Sequence, residues 1–193
     1  MNKDESHPDI GGRHAKFALA ILVVVYVFNF IDRQILSILA EEIQADLGIS
    51  DSGIGFLYGT AFAVFYSVVG IPLGRLADVW TRKNLISIGL ATWSFFTILS
   101  GTAKSFFSLA FYRIGVGIGE SSASPSAYSL LSDYFSPKVR TTVLAIYSSG
   151  VYIGSGIGLF LGGAIVDYWS TLFPDPSMAP FGIRGWQAAF IAV

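Results

Sequence analysis

The chain has no cysteine, two histidines and few charges for its length. The lack of cysteine excludes disulfides and thiolate metal sites, and leaves the compartment undecided. Both histidines, His7 and His14, lie in the polar N-terminal stretch. No apolar run therefore contains a histidine, and no Ser-His-Asp, Cys-His or metal-ligand spacing appears there. On that ground neither an enzyme nor a metal or cofactor is expected. With 12 Lys and Arg against 13 Asp and Glu, there is no basic excess to meet phosphates, which speaks against a nucleic-acid partner. Charged residues make up 13% of the 193 positions and hydrophobic ones 53%; a soluble domain carries roughly 25% charged residues. This composition belongs to a membrane protein.

What is present is a series of long apolar runs. After a polar lead, residues 1–16, read as a disordered tail, the runs fall at about 17–40, 53–73, 84–102, 105–131 and 141–166. Each has roughly the 20 residues that a helix needs to cross about 30 Å of hydrocarbon. Strands of a barrel would be shorter and alternating. A sixth run begins near Trp186 and reaches Val193, so the chain reads as cut inside a sixth span. The expected class is an all-α integral membrane protein of five spans and the start of another. A signal peptide in place of the first span is disfavoured, because the run is too long and holds Asp32 and Arg33.

Charge in the connections alternates. The lead and the second and fourth connections contain Arg13, Lys16, Arg75, Arg82, Lys83, Lys138 and Arg140, whereas the other three hold only Lys104 and Arg184. The first connection is acidic, with Glu41, Glu42, Asp46 and Asp51. The positive-inside rule then predicts a cytoplasmic N-terminus.

Four charges lie inside the runs: Asp32 and Arg33 in the first, Arg113 and Glu120 in the fourth. Tyr26, Asn29, Arg33 and Ser37 recur every three or four residues and make one polar stripe, with Asp32 at its edge. Arg113 and Glu120 are seven apart, on one helix face. Charges in lipid are costly and mark pathways or pairing partners. Asp32 and Arg113 are expected at similar depth, which makes their pairing plausible and leaves Glu120 as the carboxylate expected to titrate. The competing reading is that the charges only fix helix packing. Pro125, inside the fourth run, should kink or break it. Gly150, Gly154, Gly158 and Gly162 recur every four residues, a stripe that allows close helix packing or sliding. Gly115, Gly117 and Gly119 are spaced GxGxG rather than GxGxxG and lie within a span, so a dinucleotide loop is rejected.

The stretch GIPLGRLADVWTRK, Gly70 to Lys83, resembles the loop motif of the major facilitator superfamily, matching at Gly74, Asp78, Arg82 and Lys83 and departing at Val79 and Thr81. Arg113 matches that family's fourth-span arginine, and the glycine series resembles its fifth-span motif without the proline. NFIDRQILSIL, RIGVGIGE, SDYF and GWQAAF are similar to the Spinster-like branch. The resemblance implies the N-terminal half of a twelve-helix secondary transporter, in which Asp32 and Glu120 carry protons and Arg33 and Arg113 are counter-charges. It implies a cytoplasmic gate at Gly74, Asp78, Arg82 and Lys83, and the inner membrane of a bacterium. Symport or antiport of a small organic or amphipathic, lipid-like solute would follow, by alternating access with the missing C-terminal half or another chain. The alternative is a truncated, non-transporting membrane protein or a partner-binding fragment.

Overall fold

A computed structural model of the chain describes residues 11–193; most of the expected disordered tail lies outside the described residues. Helix α1, Arg13–Ile38, begins four residues earlier than the apolar run, so Arg13 and Lys16 form its first turn. Leu39 both ends α1 and opens the short acidic α2, Ala40–Leu47, which stops at Gly48 with φ +64°. That left-handed cap favours glycine.

The second expected span is one helical rod with an internal irregularity. Ser50 caps α3, Asp51–Gly55, by accepting from the Gly53 amide at 3.3 Å. A π turn, Phe56–Thr60, joins α3 to α4, Ala61–Val79. Together they form 29 continuous helical residues. Single π turns inside α-helices are frequent at functional sites, and this one carries Tyr58. α5, Arg82–Ser100, follows a two-residue break.

The fourth expected span, 105–131, is not one helix. α6, Phe106–Glu120, and α7, Ala123–Tyr134, are separated at Ser121 and Ser122. Proline lacks the amide that would bond four residues back. Pro125 therefore leaves the Ser121 carbonyl without that bond, and sits instead in the first turn of α7, where no donor is needed. The other end of α6 is fixed by a capping box, Ser105 with Ser108. α8, Pro137–Leu172, has 36 residues, longer than the apolar run within it. At 1.5 Å per residue it extends about 54 Å, more than the hydrocarbon thickness. α9, Gly185–Ala192, ends the described chain.

By length and apolar character alone, three segments qualify as spans: Arg13–Ile38, Asp51–Val79 and Pro137–Leu172. α5 and the broken α6–α7 pair, expected as spans three and four, fall outside that criterion. Both hold buried polar residues: Thr97 and Ser100 on α5, and Arg113, Glu120 and Ser126 on α6 and α7.

α1 runs along α8, and the glycine stripe is the reason it can approach so closely. A Cβ at Gly158 would stand 3.0 Å from the Ile31 Cα, one at Gly150 would stand 3.2 Å from the Tyr26 ring, and one at Gly154 would strike the Val27 carbonyl. Gly162 faces Ile38. Buried apolar side chains gather in three layers. Ile35, Leu36, Leu57, Leu109, Trp186 and Phe190 fill one end, and Leu22, Ile86, Leu131, Val143 and Tyr147 the end nearer the start of α1. Phe62, Trp93, Val116 and Ala123 form a middle layer. Large apolar side chains such as Val68, Ile71, Tyr152 and Phe160 cover the outside, as expected of a surface in contact with lipid.

Candidate functional site

The four charges of the apolar runs meet on facing sides of α1 and α6. Arg113 Nη1 points at Asp32 Oδ1 across 3.4 Å, with both side chains buried. That is long for an N–H···O hydrogen bond, which is commonly about 2.7–3.2 Å, so the attraction is chiefly between the charges. Arg33 Nε donates to Glu120 Oε2 at 2.7 Å, a short charge-assisted bond. Glu120 is fully buried, while 26% of the Arg33 side chain stays open. The cluster holds two positive and two negative charges, so it is neutral as a unit.

The expected Asp32–Arg113 partnership is present. The difference is Glu120, which is not left alone but takes Arg33. Arg33 is also surrounded by aromatic faces: its guanidinium lies 4.6 Å from the centroid of the Phe62 ring, 5.0 Å from Tyr66 and 5.1 Å from Phe30. Arginine stacks well on such faces. A cavity of about 200 Å³ is lined by Arg33, Tyr58, Phe62 and Arg113, which places the π turn and both arginines on one small space. Of the rest of the polar stripe, Asn29 is buried one turn before Arg33 on α1, whereas Ser37, one turn after it, is exposed.

The cluster is incompletely satisfied. Asp32 Oδ2, Glu120 Oε1 and Arg113 Nε are buried and have no hydrogen-bond partner among the described residues. Buried polar atoms are normally paired; unpaired ones on charged groups mark a place where a water, a proton or a ligand group can act. Toward the start of α1, three tyrosines continue the polar wall. Tyr26 stacks on Tyr147 at 4.4 Å and Tyr128 meets Tyr147 edge-on at 5.3 Å. Sequence spacing singled out Tyr26 but not Tyr128 or Tyr147, whose helices become neighbours only in the fold.

The expected gate residues are less united. Arg82 pairs with Asp133 on α7 and donates from Nε to the Ala77 carbonyl at 3.3 Å. Asp78 and Lys83 are exposed and form no ion pair among the described residues, and Gly74 has open space where a Cβ would be. Asp133 belongs to the SDYF stretch; that signal was visible, but its partner was not. At the opposite end, Asp46 of α2 accepts from Trp186 Nε1 at 2.8 Å and pairs with Arg184 at 2.7 Å, fastening the start of α9. Nearby, burial pushes the Glu42 carboxyl above its usual range. Among the described residues, no group of three or more His, Asp or Glu is arranged to hold a metal.

The chain is similar to known proteins. The model of the Major Facilitator Superfamily matches residues 22–193. An MFS-type efflux pump of Mycolicibacterium smegmatis is 35% identical over 173 residues, covering 88% of this chain and 40% of that protein. The sphingosine-1-phosphate transporter SPNS2 of Xenopus tropicalis is 34% identical over 170 residues, covering 86% of this chain and 33% of its own length. Among solved structures, a bacterial homolog of the human lysosomal transporter Spinster, in an inward-facing and unoccupied conformation, superimposes with a TM-score of 0.83 at 33% identity. That match covers 93% of this chain and 40% of the other. The chain thus spans two fifths or less of each of these relatives.

Proposed function

The chain belongs to the major facilitator superfamily, with Spinster-like relatives, and from that premise we propose that it is the N-terminal half of a proton-coupled secondary transporter. The bundle from residue 17 onward would work with a second half, supplied by the rest of a longer polypeptide or by another chain, and would rock against it about a shared central site. Residues 1–16 would lie on the cytoplasmic side of a bacterial inner membrane. The solute is a small organic or amphipathic molecule, and the SPNS2 relative directs attention to lipid-like ones.

One observation carries the reading: two ion pairs between α1 and α6 with buried carboxylates, whose arginines line one cavity. Buried carboxylates held by arginines are neutral as pairs, and protonating a carboxylate frees its arginine. In the reading, a proton on Glu120 releases Arg33 to meet an anionic or polar group of the solute. Asp32 and Arg113 form the second such couple, and Asn29 supplies a neutral hydrogen-bonding group on the same helix. Gly74, Asp78, Arg82 and Lys83 act at the cytoplasmic gate, with Asp133 as the anchor of Arg82. The glycines Gly150, Gly154, Gly158 and Gly162 keep α8 close to α1 while the bundle moves as a unit.

The test is proton movement. The full-length protein in proteoliposomes holding a pH-sensitive dye is offered sphingosine-1-phosphate, a lysophospholipid and a short sugar acid in turn. Acidification or alkalinisation coupled to one of them supports the reading; absence of coupled proton flux with a solute that is transported contradicts it. The alternative reading is a non-transporting membrane protein that binds a partner. A native polypeptide of 20.8 kDa without a second half would support that one.

A further inference from the structure

Hydroxyl groups in helices usually bond back to a carbonyl three or four residues earlier. Several here do: Ser87 to Lys83, Ser100 to Phe96, Ser122 to Gly119 and Ser149 to Ile146. Thr97 does not. It lies on α5 between Trp93 and Ser100, is only 3% exposed, and its Oγ1 has no partner among the described residues. An idle buried hydroxyl normally costs stability. On a cavity shared with it stands the carboxyl of Asp32, which is 2% exposed and has an idle oxygen of its own, Oδ2. Both residues line one cavity of about 350 Å³ between α1, α5 and α9.

From these positions we infer that Thr97 is the second, neutral partner of Asp32 and positions its carboxyl in both protonation states. The chemistry of the hydroxyl is the reason. Arg113 can only donate, so it can serve Oδ1 in either state but can never accept the proton of a protonated Oδ2. A hydroxyl donates to a carboxylate and accepts from a carboxylic acid. When a hydronium in the cavity gives its proton to Oδ2, an O–H bond forms and water remains. In the charged state the Thr97 hydroxyl turns to donate to Oδ2, a bond not made in this structure; in the protonated state it turns again and accepts the new proton. Release is the same exchange in reverse. The charged groups around Asp32 are Arg113 and Glu120 from α6 and Arg33 from its own helix. The cavity-lining residues of α5 and α9 are uncharged, and the two hydroxyls among them are Ser94, which is exposed, and Thr97, which is buried and idle; Thr97 is therefore the one assigned to answer the change of charge.

This inference rests on the proton-coupled reading, and one assay separates the two. In full-length proteoliposomes, uptake of the transported solute is measured under an imposed pH gradient and, separately, as solute exchange at equal pH. Thr97→Val keeps the side-chain shape and removes the hydroxyl. It is expected to lower gradient-driven uptake about three- to tenfold, the equivalent of one hydrogen bond, with exchange within about twofold. Thr97→Ser is expected to restore it. Gradient-driven uptake unchanged in Thr97→Val overturns the inference, as does an equal loss of both activities that serine does not rescue. If the unaltered protein is indifferent to the gradient, the proton-coupled reading fails and this inference with it. Should Thr97→Val not assemble, the infrared carbonyl stretch of protonated Asp32 in Thr97→Ala against the unaltered protein is the second readout. A shifted band is expected when the hydroxyl is removed, and an unchanged band overturns a direct bond.

Discussion

At the scale of single residues, the cluster of Asp32, Arg33, Arg113 and Glu120 carries the account. The four were identifiable from sequence because a charge inside an apolar run has few explanations. The Asp32–Arg113 pairing followed from matching depths. Arg33–Glu120 did not, because Glu120 is two turns from Arg113 on α6, about 10 Å along the axis. Only the length of the Arg33 side chain and the aromatic floor of Phe30, Phe62 and Tyr66 bring them together. The two arginines should differ when removed. Arg113→Ala leaves a buried Asp32 without a counter-charge and is expected to cost about 3–5 kcal/mol. Arg33→Ala is expected to cost less, because a quarter of that side chain is already open. Thermal unfolding in detergent micelles checks the order of the two; a larger loss for Arg33→Ala would contradict it.

Among the helices, α8 and α1 show what patterning can and cannot reveal. The four-residue glycine spacing was visible as a face for close packing, but the helix it would meet was not, since any neighbour could use such a stripe. The structure gives it α1, with backbone atoms of Val27 and Ile31 at the contact. Gly154→Ala and Gly158→Ala should therefore push α1 away and lower the unfolding temperature. Gly156→Ala, where nothing lies within 4 Å of an added Cβ, should be neutral or raise stability by up to about 1 kcal/mol through helix propensity. Equal effects at Gly154 and Gly156 would mean that the stripe is not the packing surface. The broken α6–α7 pair was half legible: Pro125 announced an interruption, but hydropathy alone joined the two helices because Ser121 and Ser122 interrupt it too weakly to show.

For the molecule as a whole, the prediction is one of sidedness. By the positive-inside rule the alternation of charge in the connections would put the N-terminus in the cytoplasm, and the helical architecture leaves Lys83 and Lys104 at successive turns of the chain, between α4 and α6. Both are exposed. The chain lacks cysteine, so Lys83→Cys and Lys104→Cys introduce unique thiols in it. In intact cells a membrane-impermeant maleimide should label the cysteine at position 104, and the one at position 83 only after permeabilisation; the reverse pattern would invert the topology. The stretch expected to form a gate was the least legible part. Its motif residues are visible in sequence, yet Arg82 finds its partner in Asp133, 51 positions away, and Asp78 and Lys83 stand exposed. Such surface pairs contribute about 0–1 kcal/mol, so Arg82→Ala should leave stability nearly unchanged and alter transport instead.

The most direct measurement is gradient-driven uptake by full-length Glu120→Gln in proteoliposomes. Glutamine keeps the shape and a hydrogen-bonding oxygen for Arg33 but cannot gain or lose a proton. The account predicts that acid-driven accumulation is lost while solute exchange at equal pH persists. Undiminished acid-driven accumulation would remove Glu120 from proton coupling and contradict the central claim.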